Sequence, residues 1–105
     1  MIKEMLAAAA LPHWEARCPA PPPVTYAIYF DDVTADGPDG HNFIFTHDGM
    51  VELYEPAQDP AAEAAFEAEL NARGLHYTKQ ARYWLQDAQR YQVIYEFTYL
   101  EKRRT

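Results

Sequence analysis

No serine occurs anywhere in the 105 residues, and the one cysteine, Cys18, sits between Arg17 and Pro19 in a proline-rich stretch. The first absence removes the nucleophile that acyl-transfer chemistry uses most often, and the second rules out a disulfide within the chain. A core held without covalent staples fits a reducing compartment. Arg17 favours a thiolate at Cys18, but the sequence places no histidine base beside it, so Cys18 reads as an inert thiol. The four glycines, Gly37, Gly40, Gly49 and Gly74, are scattered through turn-like segments and make no phosphate-cradling loop. Met5 to Leu11 is far shorter than the roughly 20 residues of a membrane span, and no basic region precedes it. The expectation is a soluble chain with no signal peptide, no anchor and no membrane partner.

Basic residues are missing from a long stretch as well. From Asp31 through Ala72 there are eleven acidic residues and no lysine or arginine, and the net charge is −7. Such a chain repels the phosphate backbone, so DNA binding is disfavoured. The basic charge collects at the end, in Lys102, Arg103 and Arg104. This asymmetry suits head-to-tail contact between copies, while a solubilising acidic surface with a frayed basic end is the plainer account.

What is present is apolar and aromatic: 49% hydrophobic residues and 14% aromatic ones, the mark of an ordered globular chain. At this length one core must serve the whole molecule, so a single domain spanning 1–105 is expected. Ile2, Met5, Leu6 and Ala9 at helical spacing predict a short helix over 1–10, which Pro12 stops. Residues 12–23, with Pro12, Pro19 and Pro21 to Pro23, form a stiff connector. Val24 to Phe30 alternates as a strand, with Val24, Tyr26, Ile28 and Phe30 on its apolar face and Tyr29 exposed opposite. Asp36 to Gly40 is turn-like, and its aspartates lack the ligand pattern of a calcium loop. Phe43 to Tyr54 resumes the strand, with a bulge or tight turn expected near Asp48 and Gly49. Asp59 caps and Pro60 opens a second helix carrying Ala62, Phe66 and Leu70, which Gly74 ends. Strands follow at Leu75 to Lys79, at Tyr83 to Leu85 and, most strongly, at Tyr91 to Leu100. The fold class is therefore α+β, a small mostly antiparallel sheet of about four to five strands with two helices packed on it. Sheet and second helix fill 24–101 and the basic tail 102–105.

His13, His41, His47 and His76 show no i, i+4 metal spacing, so no metal, cofactor or catalytic residue is assigned. Carboxylate pairs such as Glu52 with Glu55, or Glu96 with Glu101, need no chemistry to explain them. A metal-dependent enzyme built from His41, His47 and the nearby aspartates is the weakest alternative, and a monomeric acidic module that mimics nucleic acid or neutralises a basic partner is a stronger one. The aromatic strands argue for self-association, because one helix layer leaves sheet surface uncovered and tyrosine suits interfaces. The candidate subunit-interface residues are Tyr29, Tyr91, Tyr95, Phe97, Tyr99, Lys102, Arg103 and Arg104. Asp31, Asp32, Asp36, Asp39, Glu63 and Glu67 are candidates for an acidic rim or lumen, with Glu63 and Glu67 mildly repelling each other at i, i+4.

The opening helix, the proline connector, Val24 to Phe30, Met50 to Glu55 running into Pro56, the helix from Asp59-Pro60 to Gly74, and Tyr91 to Glu101 together resemble the tail terminator proteins of long-tailed bacteriophages. The lambdoid members are similar in this order of elements, and the resemblance covers most of the chain. It implies a non-enzymatic virion protein, made in the cytoplasm of a bacterial host. It also implies a hexameric ring that stops the tail tube, contacts the tube protein and presents a surface to the head–tail connector, while DNA passes without specific binding.

Overall fold

In chain order the elements are α1 (Ile2–Ala8), β1 (His13–Glu15), β2 (Tyr26–Asp36), β3 (Asn42–Glu55), α2 (Pro60–Ala72), β4 (Tyr77–Lys79), β5 (Tyr83–Leu85) and β6 (Arg90–Arg104). The structure, a computed structural model, describes residues 1–37 and 42–104, with the backbone alone at 42, 43, 103 and 104. β3 is the central strand. It pairs antiparallel with β2 from Tyr26↔Tyr54 to Asp36↔Ile44, and with β6 from Asn42↔Arg104 to Glu55↔Tyr91. β1 adds parallel to the outer edge of β2, and β4 and β5 share the outer edge of β6.

The α+β class and the two helices are as expected, but the sheet has six strands. The excess over four to five comes from three-residue pieces, too short for alternation to reveal. One of them, β1, lies inside the proline connector, where the carbonyl of Pro12 accepts from the amide of Ala27 at 2.8 Å.

Both helices cover the face carrying the odd-numbered residues of the long strands. Ala27, Val51, Leu53, Val93, Tyr95 and Phe97 pack there against Ile2, Met5, Leu6, Leu11, Phe66 and Leu70. Each large side chain so buried contributes about 1.5–3 kcal/mol. This reverses the face expected for the first strand. Register decides it, because Ala27 and Tyr29 lie opposite Leu53 and Val51, whereas Ile28 and Phe30 lie opposite Glu52 and Met50.

No bulge interrupts β3 at Asp48 and Gly49, whose pairing is continuous on both sides. Gly49 faces Phe97 across the strands, and a Cβ there would meet the Phe97 ring at 2.7 Å and Ile2 at 3.0 Å. The glycine is therefore a clearance for an aromatic ring and a helix, not a turn signal. The basic end is likewise not frayed, since Lys102, Arg103 and Arg104 extend β6 opposite Ile44, Phe43 and Asn42.

α2 starts as its sequence dictates. Asp59 accepts from the amide of Ala62 at 3.1 Å and from the Thr25 hydroxyl at 2.6 Å, tying the cap to the entrance of β2. Gly74, at φ +66°, takes the left-handed conformation that lets the chain leave the helix. The far ends of β2, β3 and β6 continue past the core as a three-stranded ribbon with Val33, Ile44 and Leu100 exposed. The molecule accordingly measures 50 × 27 × 22 Å.

Candidate functional site

Three surfaces or clusters carry the polar and aromatic residues that the core does not absorb. The first lies at the base of the ribbon, where period 2 on paired strands brings Asp31, His47, Tyr99 and Glu101 to one face. His47 is 8% exposed. Its Nδ1 lies 2.9 and 3.0 Å from the two Asp31 oxygens, and its Nε2 lies 2.9 Å from Glu101 Oε1. The Tyr99 ring stacks on the imidazole at 4.4 Å, and its hydroxyl donates to Asp31 at 3.1 Å. Burial acts to lower the His47 pKa, but hydrogen bonds to Glu101 and Asp31 and their charges outweigh it, so the net shift is upward. An imidazole with a carboxylate at each nitrogen must donate from both to satisfy them. The protonated residue is thus a clasp across three strands, favoured by the upward shift. Among the described residues, no group of three His, Cys, Asp or Glu side chains is placed to hold a metal.

The second cluster sits between α2 and the β4–β5 segment. Glu55 is fully buried and Glu63 is 3% exposed. Arg82 donates to Glu63 at 2.7 Å and to Glu55 at 3.3 Å, and Lys79 reaches Glu63 at 3.0 Å and Glu67 at 2.6 Å. Burial, then a hydrogen bond to Glu63, pushes the Glu55 carboxyl up to about 7. For Glu63, burial acts upward, but hydrogen bonds from Glu55, Arg82 and Lys79 prevail and hold it below the usual range. Glu55 Oε2 meets no donor. A carboxyl that holds its proton can donate to the neighbouring Glu63 carboxylate, which is how the pair shares its buried site. The group staples the β4–β5 segment to α2, with Tyr95 donating to Glu67 at 2.7 Å beneath it.

The third is the sheet face that the helices leave open. Trp14, Tyr26 and Tyr54 form an aromatic row, with Trp14 edge-on to Tyr26 at 5.9 Å and Tyr26 stacked on Tyr54 at 5.2 Å. Arg90 lies over Tyr26 at 5.3 Å and donates to the Pro22 carbonyl at 2.7 Å, pinning the connector at this end. Ile28, Phe30, Met50 and Ile94 continue the apolar surface as half-buried residues. Towards the ribbon the same face turns polar, through Asp32, Thr34, Asp36, Asp48 and Thr98.

These arrangements redistribute the residues singled out by sequence. Tyr29, Tyr91, Tyr95, Phe97 and Tyr99 all lie on the helix-covered face because they share odd parity. Tyr95 is fully buried and Phe97 is 5% exposed, so neither is available to a neighbouring copy. Tyr29 packs on the core, Tyr91 lies against Trp84 at 4.8 Å, and Tyr99 belongs to the His47 clasp. Glu63 and Glu67 are not a rim: Lys79 lies between them and cancels the repulsion that i, i+4 spacing predicts. Asp31 is committed to His47, whereas Asp32, Asp36 and Lys102 are exposed. Asp39 and His41 lie outside the described residues, as do the side chains of Arg103 and Arg104. The sequence offers His47 only as a weak metal ligand and Glu55 only as a partner of Glu52, and it singles out neither Arg82 nor Trp14. The turn cluster from Asp36 to Gly40, taken as the centre of a hairpin, was the signal able to bring Asp31 near His47.

The fold and these surfaces define a single-sheet α+β domain with one helix-covered face, one open face and a projecting ribbon. No protein-family model matches the chain, and no curated protein does. Among solved structures, it is similar to a chain from the virion of a native gene transfer agent (GTA) particle, with a TM-score of 0.59 and 19% identity over 90% of this chain and 81% of that one. At that identity the likeness is one of fold.

Proposed function

We propose that the chain is a structural subunit of a phage-like virion and, more narrowly, a tail terminator that closes the tail tube as a hexameric ring and receives the head connector. The observation that carries this reading is the fold shared over 90% of the chain with a virion component. The order of elements, which resembles the lambdoid terminators, points the same way.

The mechanism is geometric and uses no catalytic group. The open face around Trp14, Ile28, Phe30, Met50, Tyr54 and Ile94 supplies an apolar surface for the last ring of tube protein. Exposed Asp32 and Asp36 on the ribbon suit a rim or channel surface, and a net charge of −7 keeps transiting DNA from sticking.

Immunogold labelling and proteomics of particles purified from cells carrying the gene test the reading. It predicts a low-copy component at the head-proximal end of the tail, and deletion of the gene yields headless tails of uncontrolled length. Absence of the chain from purified particles overturns it.

A further inference from the structure

The ribbon has two open backbone edges, and they carry opposite charge. On β2, the Tyr29 carbonyl accepts from the amide of Ala16 at 3.0 Å, which shows that odd-numbered residues turn their N–H and C=O groups to the outer edge. β1 ends at the level of Tyr29, so the outward groups of Asp31, Val33 and Ala35 have no strand partner among the described residues. On β6, the Ile94 carbonyl accepts from the amide of Gln80 at 2.9 Å, so even-numbered residues face outward there. β4 reaches only Phe97, leaving the outward groups of Thr98, Leu100, Lys102 and Arg104 with no strand partner among the described residues. Native sheets commonly blunt such edges with bulges, prolines or charged side chains; neither run contains a bulge or a proline, and the charges they do carry select which partner can add.

Exposed Asp32 and Asp36 make the end of β2 acidic, and exposed Lys102 opens the run Lys102-Arg103-Arg104 that ends β6. Through β3, Asp36 and Lys102 share a level, both opposite Ile44. The strands also share a direction, since each is antiparallel to β3. A neighbour related by rotation about an axis along the strands therefore presents its β2 to β6 in parallel, with Asp36 and Lys102 at matching heights.

We infer that copies of this chain join by strand addition, β6 residues 98–104 of one pairing in parallel with β2 residues 31–36 of the next. This deepens the ring reading above and rests on it. Two-fold pairing is disfavoured because β2 on β2, or β6 on β6, sets like charges opposite each other. The contact is therefore head-to-tail, the kind that closes into a ring or runs on as a filament. The occupant of each edge is a second copy of this chain.

Two charge-reversed variants test the pairing. D32K/D36K makes both edges basic, and K102E/R103E/R104E makes both acidic. Sedimentation of the native chain at low salt should show assembly that weakens as salt rises. Each variant alone should assemble at least tenfold more weakly, while an equimolar mixture recovers assembly with the two alternating. Circular dichroism of each variant establishes that it is folded. If both assemble as the native chain does, or the mixture fails to recover, the pairing is wrong and the ring must use another surface. A native chain that stays monomeric also overturns it, while particle labelling still speaks separately to the virion reading.

Discussion

At the scale of single residues, three positions have measurable consequences. Gly49 exists to admit Phe97 and Ile2, whose atoms stand 2.7 and 3.0 Å from where a Cβ would be. Gly49→Ala should destabilise the fold by about 1–3 kcal/mol in urea unfolding, because overpacking forces the ring or α1 to shift. An unchanged midpoint would mean that the ring is not held there. Glu55 has a folded pKa of about 7 against 4.5 for an ordinary carboxyl. Between those values the unfolded chain releases its proton and the folded chain keeps it, so stability falls as pH rises. Glu55→Gln should therefore melt higher than the native chain at pH 8 by roughly 1–3 kcal/mol, with the gain vanishing toward pH 5. His47 follows the same sign, because its folded pKa is also raised. Its raised pKa gives stability that is full below the ordinary value of 6.5 and lost as pH climbs through the folded value. Thermal melts of His47→Gln should differ from the native chain most near pH 6 and least near pH 9; a constant gap would remove the charged clasp.

At the scale of elements, legibility tracked length and local chemistry. α2 was readable to its ends because Asp59, Pro60 and Gly74 act through their own backbone neighbourhood. The long aromatic strand was readable from period 2, but alternation cannot say which face meets the helices when both are bulky. That choice is made by register, which seats Val93 and Tyr95 opposite Leu53 and Val51. β1 was hidden because three residues between prolines carry no period, and its pairing depends on β2 rather than on itself. The His47 clasp and the Glu55 pair were hidden for the same reason: each joins segments far apart in sequence. Asp59 also has a role that its cap signature did not reveal, since it holds Thr25 at 2.6 Å. Asp59→Ala should cost about 1–2 kcal/mol by losing the cap, and Thr25→Ala should recover part of the same loss. Additive effects in the double mutant would separate cap from anchor and contradict the shared contact.

At the scale of the whole molecule, the two sheet faces and the ribbon divide the labour. One face is spent on the core, the ribbon leaves backbone groups at its two edges without a strand partner among the described residues, and the open face offers an apolar surface bordered by acid. The charge asymmetry visible in the sequence becomes, in three dimensions, two edges of opposite sign on one sheet rather than a loose basic tail. Each exposed ion pair contributes only about 0.2–1 kcal/mol, so the effect must come from repetition around a closed ring together with the backbone pairing it accompanies. Light scattering of the purified native chain at low salt, from micromolar to millimolar concentration, tests the central claim that this domain is a ring-forming subunit. The account predicts a single closed species, a hexamer, that dissociates as salt is raised; a monomer across the whole range would contradict it.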